Sequence, residues 1–273
     1  DSSTILGSII TYRRIMNFNT HEKLHAFETK CSECAIRDAS LFKSVTNGNL
    51  ASAEELRKEQ LRIPARTRIF QEGEMHDYIY TVYSGWSVIY KTVSNSGKRQ
   101  ILRFVLPGDL IGFQTNVSGV MSHSAGSVNE SILCAFPRAK IKPMLEKNSE
   151  LALRLVDMKA IDVSLCYNHL MAAGRKTAKE SIAFILMELF YRVQYQVPNN
   201  DSKVTNTIDF PITQEDIGDA IGLTNVHVNR VIKELMKEKL ILCNKKKLTI
   251  LNEDKLCEIA EFSSDMVVTH PLA

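Results

Sequence analysis

Residues 213–235 constrain the fold of this chain most strongly, because their pattern indicates two short helices joined by a tight turn. Thr213 and Asp216, three residues apart, have the spacing of a capping box that starts a helix. Gly222 permits a tight turn after that helix, and Thr224 can cap the next one. The segment is therefore predicted to be a helix-turn-helix unit.

The second predicted helix has one apolar and one polar face. At 100° per residue, the apolar face consists of Val228, Val231, Ile232 and Leu235. The opposite face consists of Val226, Asn229, Arg230 and Lys233, with Asn225 exposed at the first turn. A polar stripe by itself is typical of a solvated helix. The capped helix and turn that precede it favour instead a helix that reads bases in the DNA major groove.

Arg230 is the predicted guanine reader, because its planar guanidinium can donate to O6 and N7 together. Asn229 could pair with adenine or hold a phosphate. Further along, residues 240–242 and 248–251 are predicted strands around a lysine-rich turn, which together resemble a wing that neutralises phosphates. The full set of predicted DNA contacts is Gln214, Thr224, Asn225, Val226, Asn229, Arg230, Lys233, Lys245, Lys246 and Lys247.

The N-terminal half has a different pattern. Between residues 61 and 137, short apolar or alternating stretches are separated by glycines, which predicts an antiparallel β-roll or barrel. Residues 95–98 are predicted to form a hairpin turn, since Gly97 can supply a positive φ. The fold class is therefore α+β. The predicted domains are an arm (1–30) without assigned function, a roll (31–148), a dimerisation helix (149–174) and a winged helix-turn-helix domain (175–273).

A long helix with two apolar faces is predicted between the two domains. The first row, predicted as a dimer interface, is Leu151, Leu155, Met158, Ile161 and Leu165. The second row is Val156, Val163 and Leu170. A helix that is apolar on two faces must bury both, and a roll on one side with a partner helix on the other would do so. The alternative is a helix packed only within its own chain.

Composition narrows the class of protein. The chain has 273 residues, is 44% hydrophobic and carries a formal charge of +3, which is ordinary for a globular protein. It contains no apolar run of membrane-spanning length and no signal-peptide core near residue 1, so we expect a cytoplasmic protein without a membrane partner. Its six cysteines are too few and too unevenly spaced for a disulfide framework.

These features together resemble the Crp/Fnr superfamily of bacterial regulators over nearly all of residues 31–260. The roll motifs that carry the resemblance are residues 70–73, 79–85, Gly97 and 107–112, and residues 226–230 are similar to the FixK-type branch. The resemblance implies a cyclic-nucleotide-binding-like double-stranded β-helix, and a homodimer on a pseudo-palindromic site in double-stranded DNA. It also implies transcription activation, with RNA polymerase as a contact. In Fnr-like members a glutamate precedes the arginine by four positions, and Val226 stands there instead.

Some members of this superfamily bind a cyclic nucleotide and others an iron-sulfur cluster, and the sequence bears on both. Nucleotide-binding members use an arginine after the Gly-Glu turn, whereas no Arg or Lys lies between Phe104 and Pro137 here, so independence from cyclic nucleotides is predicted. Cys31, Cys34 and Cys134 match three ligands of the Fnr iron-sulfur cluster, but the remaining N-terminal ligand is missing. The prediction is no cofactor. An iron-sulfur or thiol-based oxygen sensor using these three cysteines is the alternative.

Cys243 is a separate redox candidate, because neighbouring lysines could lower its pKa, and an inert thiol is the alternative. Two rival functions remain. A cupin-type metal enzyme would need converging His and Glu ligands, which the chain does not supply at useful spacing, so no enzymatic activity is predicted. A winged helix that binds only protein would leave Asn229 and Arg230 without a DNA contact.

Overall fold

The structure is a computed structural model, and it describes residues 22–23, 29–44, 54–114, 119–196 and 205–267. Most of the predicted arm, residues 1–30, lies outside these ranges. Within them, no helix combines the length and the apolar character that a membrane span requires.

Strands of the N-terminal half form two antiparallel sheets that face each other as a roll. One sheet has the order β1-β2-β9-β4-β7 and the other β3-β8-β5-β6. The strands are β1 (Glu22–Lys23), β2 (Glu59–Ile63), β3 (Arg68–Phe70), β4 (Tyr78–Ser84), β5 (Ser87–Thr92), β6 (Arg99–Val105), β7 (Leu110–Ile111), β8 (Ser124–Ser127) and β9 (Ser131–Pro137). The predicted hairpin joins β5 to β6, where Gly97 has a φ of +65°. The predicted α+β class with an antiparallel roll is confirmed.

The C-terminal half is mostly helical and ends in a small sheet. Its helices, with those that lead into it, are α1 (Arg138–Lys147), α2 (Ser149–Arg175), α3 (Ala178–Gln196), α4 (Gln214–Ile221), α5 (Asn225–Lys237) and α6 (Glu253–Ala260). The sheet has the order β10-β12-β11, with β10 (Thr207–Asp209), β11 (Ile241–Asn244) and β12 (Lys247–Ile250). Short 3-10 helices lie at Cys31–Glu33, Arg37–Ala39, Leu41–Ser44 and Ser264–Met266.

Helix α2 packs its first apolar row against its own chain. Leu151, Leu155 and Met158 join roll residues that include Leu110 and Phe136 in one buried cluster. Further along the row, Leu165 is buried and Ile161 is half-buried. Because the row is largely covered within the chain, these side chains have little surface left for a partner.

The opposite face of α2 is exposed and apolar. Its exposed large apolar side chains are Leu153, Val156, Val163, Tyr167, Leu170 and Met171. The helix therefore has the two apolar faces that the sequence indicates, and the structure covers only one of them.

The C-terminal domain covers the outer face of the sheet that contains β5 and β6. Val88 and Ile101 of these strands, with Trp86 directly before β5, belong to the same buried cluster as the apolar residues of α3, α4 and α5. The Trp86 ring meets the Phe210 ring edge-on, with 6.1 Å between centroids. The two domains thus share one apolar core.

A buried network of charged side chains crosses this core. Asp109 of the roll accepts from Arg103 of β6 at 2.9 Å and from Arg192 of α3 at 2.7 Å. Arg192 also pairs with Glu188 at 3.1 Å, and Glu188 accepts a hydrogen bond from His169 of α2. Burial raises the pKa of Asp109, but the two guanidinium groups outweigh that effect and hold its pKa below the ordinary value. The roll, α2 and α3 therefore meet in one ionic cluster.

Replacing Asp109 with alanine should destabilise the protein strongly, because it leaves two guanidinium groups buried without their shared carboxylate. We expect the free energy of unfolding to fall by about 3–5 kcal/mol, measured by urea denaturation followed by circular dichroism. The matched control is Lys255→Ala, which breaks the exposed pair with Glu258 and should cost less than about 1 kcal/mol. A loss below about 1 kcal/mol for Asp109→Ala would contradict this role.

Candidate nucleic-acid interface

Local capping interactions start both helices of the predicted helix-turn-helix. The Thr213 hydroxyl accepts from the Asp216 N–H at 3.2 Å, and the Thr213 N–H donates to the Asp216 carboxylate at 2.8 Å. Gly222 ends α4 with a φ of +73°, a conformation that L side chains rarely adopt. Thr224 caps α5 by accepting from the His227 N–H at 3.3 Å. The predicted capping box, turn and cap are all present.

Gly218, inside α4, has a structural role that the sequence analysis did not predict. A Cβ built on Gly218 would lie 2.5 Å from the carbonyl oxygen of Leu223, so only glycine allows the turn to approach the helix this closely. The Leu223 N–H donates to the Gly218 carbonyl at 3.0 Å across this contact. Glycine is unfavourable inside a helix, so its presence in α4 is the sequence feature that could have indicated a close approach of the following turn.

Each of the two helices buries one apolar face. Ile217, Ala220 and Ile221 of α4 are buried in the core of the C-terminal domain. The predicted apolar face of α5 is also buried, and consists of Val228, Val231, Ile232 and Leu235. The orientation of α5 about its own axis is therefore fixed by packing.

The other face of α5 points into solvent. Asn225, Val226, Arg230 and Lys233 are exposed, as is the capping residue Thr224. Asn229 and Gln214 are half-buried. Arg230 donates from Nη2 to His227 Nε2 at 2.9 Å, which holds the guanidinium over the exposed face. The structure thus gathers the predicted residues of α5 on one accessible surface.

The lysine-rich turn is the tip of a two-stranded hairpin between β11 and β12. Lys245 and Lys246 have φ values of +48° and +60°, which are the two left-handed central positions of a type I′ turn. Non-glycine residues are strained there by about 1 kcal/mol or more each. All three lysines of the tip are exposed, and Lys247 pairs with Asp209 at 3.1 Å. The hairpin therefore presents its lysines to solvent at a cost in stability.

Ion pairs attach the first helix of the unit to the roll. Asp216 is buried and accepts two hydrogen bonds from Arg66, at 2.8 and 2.9 Å, and one from Arg99 at 2.8 Å. Arg99 also binds Asp219 at 2.7 Å. Burial raises the pKa of Asp216, but the hydrogen bonds from Arg66 and Thr213 outweigh it and lower that pKa to about 2. The carboxylate that caps α4 thus also attaches this helix to the roll.

Comparison with known proteins agrees with this architecture. Residues 180–259 match the Crp-like helix-turn-helix domain family, and residues 60–148 match the cyclic nucleotide-binding domain family. The nitrogen fixation regulation protein FixK of Rhizobium meliloti is 32% identical over 174 residues, which cover 63% of this chain and 73% of that protein.

The chain belongs to the Crp/Fnr family of DNA-binding transcription regulators.

Two further relatives support the assignment. The transcriptional activatory protein AadR of Rhodopseudomonas palustris is 29% identical over 211 residues, covering 77% of this chain and 84% of AadR. The solved structure of FixK2 from Bradyrhizobium japonicum superposes with a TM-score of 0.65 at 25% identity, and the match covers 73% of this chain and 96% of that one. This Crp/Fnr regulator is thus similar to FixK-type proteins in both sequence and fold.

A cavity of about 200 Å³ lies between the roll and α2 of this regulator. Arg103 and Lys159 line it, and both pair with Asp162, at 2.5 and 2.7 Å. Burial lowers the pKa of His123, another lining residue, which favours its neutral form. The lining cations are therefore already neutralised by a carboxylate, which does not fit the phosphodiester of a cyclic nucleotide.

The three candidate cluster ligands converge but do not fit an iron-sulfur cluster. Cys31, Cys34 and Cys134 line one cavity of only about 30 Å³. Cys134 accepts a hydrogen bond from Gln60 at 3.2 Å, and burial raises the pKa of Cys31 to about 11. Within the described ranges, no group of three or more His, Cys, Asp or Glu residues could hold a metal ion. A four-thiolate cluster therefore lacks both its fourth ligand and its space.

The pKa of the Cys243 thiol differs from the prediction. Burial raises the pKa of its thiol to about 11, whereas neighbouring lysines were expected to lower it. The side chain packs against the core of the C-terminal domain, and Lys245 and Lys246 are exposed at the tip of the hairpin. The thiol is thus kept protonated by its apolar contacts.

Proposed function

We propose that this regulator binds a pseudo-palindromic site on double-stranded DNA as a homodimer. The observation that carries the proposal is the exposed face of α5, which presents Asn225, Arg230 and Lys233 on a helix whose other face is locked into the core. In helix-turn-helix proteins, the second helix enters the major groove, and two such helices about 34 Å apart meet successive grooves. The two helices of a dimer would then read the two half-sites.

Individual contacts follow from chemistry and position. Arg230 donates to guanine O6 and N7, while Asn229 binds adenine or a phosphate. Gln214 is the first residue of α4, and its side-chain amide can donate to a phosphate. The remaining contacts to phosphate or base edges come from Thr224, Asn225, Val226, Lys233, Lys245, Lys246 and Lys247.

Arg230→Ala tests base reading directly. We expect binding to a selected operator to weaken by about 1–3 kcal/mol, with relaxed preference at one base pair of each half-site. Binding to unrelated DNA should change much less. Fluorescence anisotropy with operator and scrambled duplexes measures both, and Lys142→Ala on α1 of the roll is a control for loss of charge. Unchanged operator affinity would favour a winged helix that binds protein instead.

The wing offers a test in which stability and DNA binding move in opposite directions. The double variant Lys245→Asn with Lys246→Gly places preferred residues at the two left-handed positions, so the free energy of unfolding should rise by about 1 kcal/mol. The same change removes two cations per chain. The slope of log affinity against log salt should therefore fall by about 0.9 for each lost phosphate contact. An unchanged slope would mean that the wing does not contact DNA.

The exposed face of α2 supports the dimer. Its members recur at alternating spacings of three and four residues, the pattern of a coiled-coil seam: Leu153, Val156, Ala160, Val163, Tyr167, Leu170 and Gly174. By this spacing, Leu153, Ala160, Tyr167 and Gly174 are a-type positions and Val156, Val163 and Leu170 are d-type positions of one continuous seam. We therefore assign the dimer interface to this row rather than to the row of Leu151, Leu155, Met158, Ile161 and Leu165.

Val163→Glu should break the dimer, because two carboxylates would face each other in the middle of an apolar seam. We expect the dimer dissociation constant to rise at least about a hundredfold, measured by sedimentation equilibrium. Leu251→Glu changes an exposed apolar residue outside the seam and is the control. If Val163→Glu stays as dimeric as this control, the interface lies elsewhere.

The broader role follows from the relatives. AadR is named a transcriptional activatory protein, and FnrL of Cereibacter sphaeroides a transcriptional activator protein. By that likeness this regulator activates transcription in the cytoplasm, contacts RNA polymerase and works without a cyclic nucleotide.

A further inference from the structure

The exposed face of α5 contains one large apolar side chain, Val226. It is 82% exposed, compared with 45% for Leu242 and 51% for Leu251 elsewhere in the same domain. Its neighbours on that face, Asn225, Asn229 and Arg230, are all polar. Valine also has a lower helix propensity than most polar residues with straight side chains. Neither packing nor helix formation in the free protein therefore accounts for valine at this position.

The position of Val226 relative to Arg230 defines what it can reach on DNA. Val226 is the second residue of α5, in the turn that enters the groove first, and Arg230 follows one helical turn later on the same face. Four residues of helix rise about 6 Å, whereas neighbouring base pairs are about 3.4 Å apart. Val226 therefore meets a base pair one or two steps from the one that Arg230 reads.

The chemistry of the major groove restricts which base Val226 can contact. Base edges in the major groove present hydrogen-bond donors and acceptors, and thymine alone adds an apolar group, its C5-methyl. A valine side chain has no donor or acceptor for the polar groups. In a helix it adopts one χ1 rotamer about 90% of the time, so fixing it against a base costs little entropy.

We propose that Val226 is a specificity-determining residue that selects thymine by contact with its C5-methyl group. The thymine lies one or two base pairs from the guanine read by Arg230 in each half-site. This inference rests on the proposed DNA-binding function and adds the identity of a second base. Burial of one methyl group corresponds to about a fourfold preference per half-site.

The test uses the full-length protein and a change of one methyl group in DNA. An operator is first selected from a random duplex pool, and each thymine of a half-site is then replaced in turn by deoxyuridine, which lacks only the C5-methyl. We expect affinity to fall about fourfold per half-site at one thymine, one or two steps from the guanine, and to be unchanged at thymines outside the reach of α5. For Val226→Ala, thymine and deoxyuridine at that position should bind within about twofold of each other.

A second variant gives a gain of function. Val226→Glu should shift the selected base from thymine to cytosine, because a carboxylate accepts from the cytosine amino group. The inference is overturned if deoxyuridine is tolerated at every thymine near the guanine, or if Val226→Ala keeps the full methyl preference. If Arg230→Ala still loses operator binding in that case, the proposed function stands and only the role of Val226 fails. Val226 is exposed, so neither variant should disturb folding.

Discussion

The buried carboxylate of Asp109 is the contact on which the arrangement of the domains depends. It accepts from Arg103 within the roll and from Arg192 on α3, so the roll and the C-terminal domain share one negative charge. A buried charge is tolerated only when its partners are in place. The shared apolar core supplies stability, and the ionic contacts fix the orientation in which the domains meet.

Helix α2 belongs to the same network, which links the proposed dimer seam to α3 of the C-terminal domain. Asp162 of α2 binds Arg103, and His169 of α2 donates to Glu188 of α3. A shift of α2 along or around its axis would therefore separate these charge pairs. Since the exposed row of α2 is the proposed seam, the pairs connect that seam to the helix that precedes the helix-turn-helix.

The local parts of this architecture could be predicted from the sequence, and the long-range parts could not. Thr213, Gly222 and Thr224 act on residues within a few positions of themselves, so their spacing alone predicts the helix-turn-helix. The two apolar rows of α2 were also visible, but spacings of three and four residues do not say which row faces the roll. The pair between Asp109 and Arg192 joins residues 83 positions apart, and no local pattern brings them together. Cys243 shows the same limit, because the pKa of its thiol follows its burial in the folded domain and not the lysines beside it in sequence.

The residues that stabilise the C-terminal domain are separate from the exposed residues that are proposed to read DNA. Val228, Val231 and Leu235 hold α5 in the core, while Val226 and Lys233 one face away contribute no buried contact. At the wing, Lys245 and Lys246 occupy strained positions that glycine or asparagine would fill at lower cost. Replacements on the exposed face can therefore change the preferred operator without loss of fold, because the energy that maintains α5 comes from its other side.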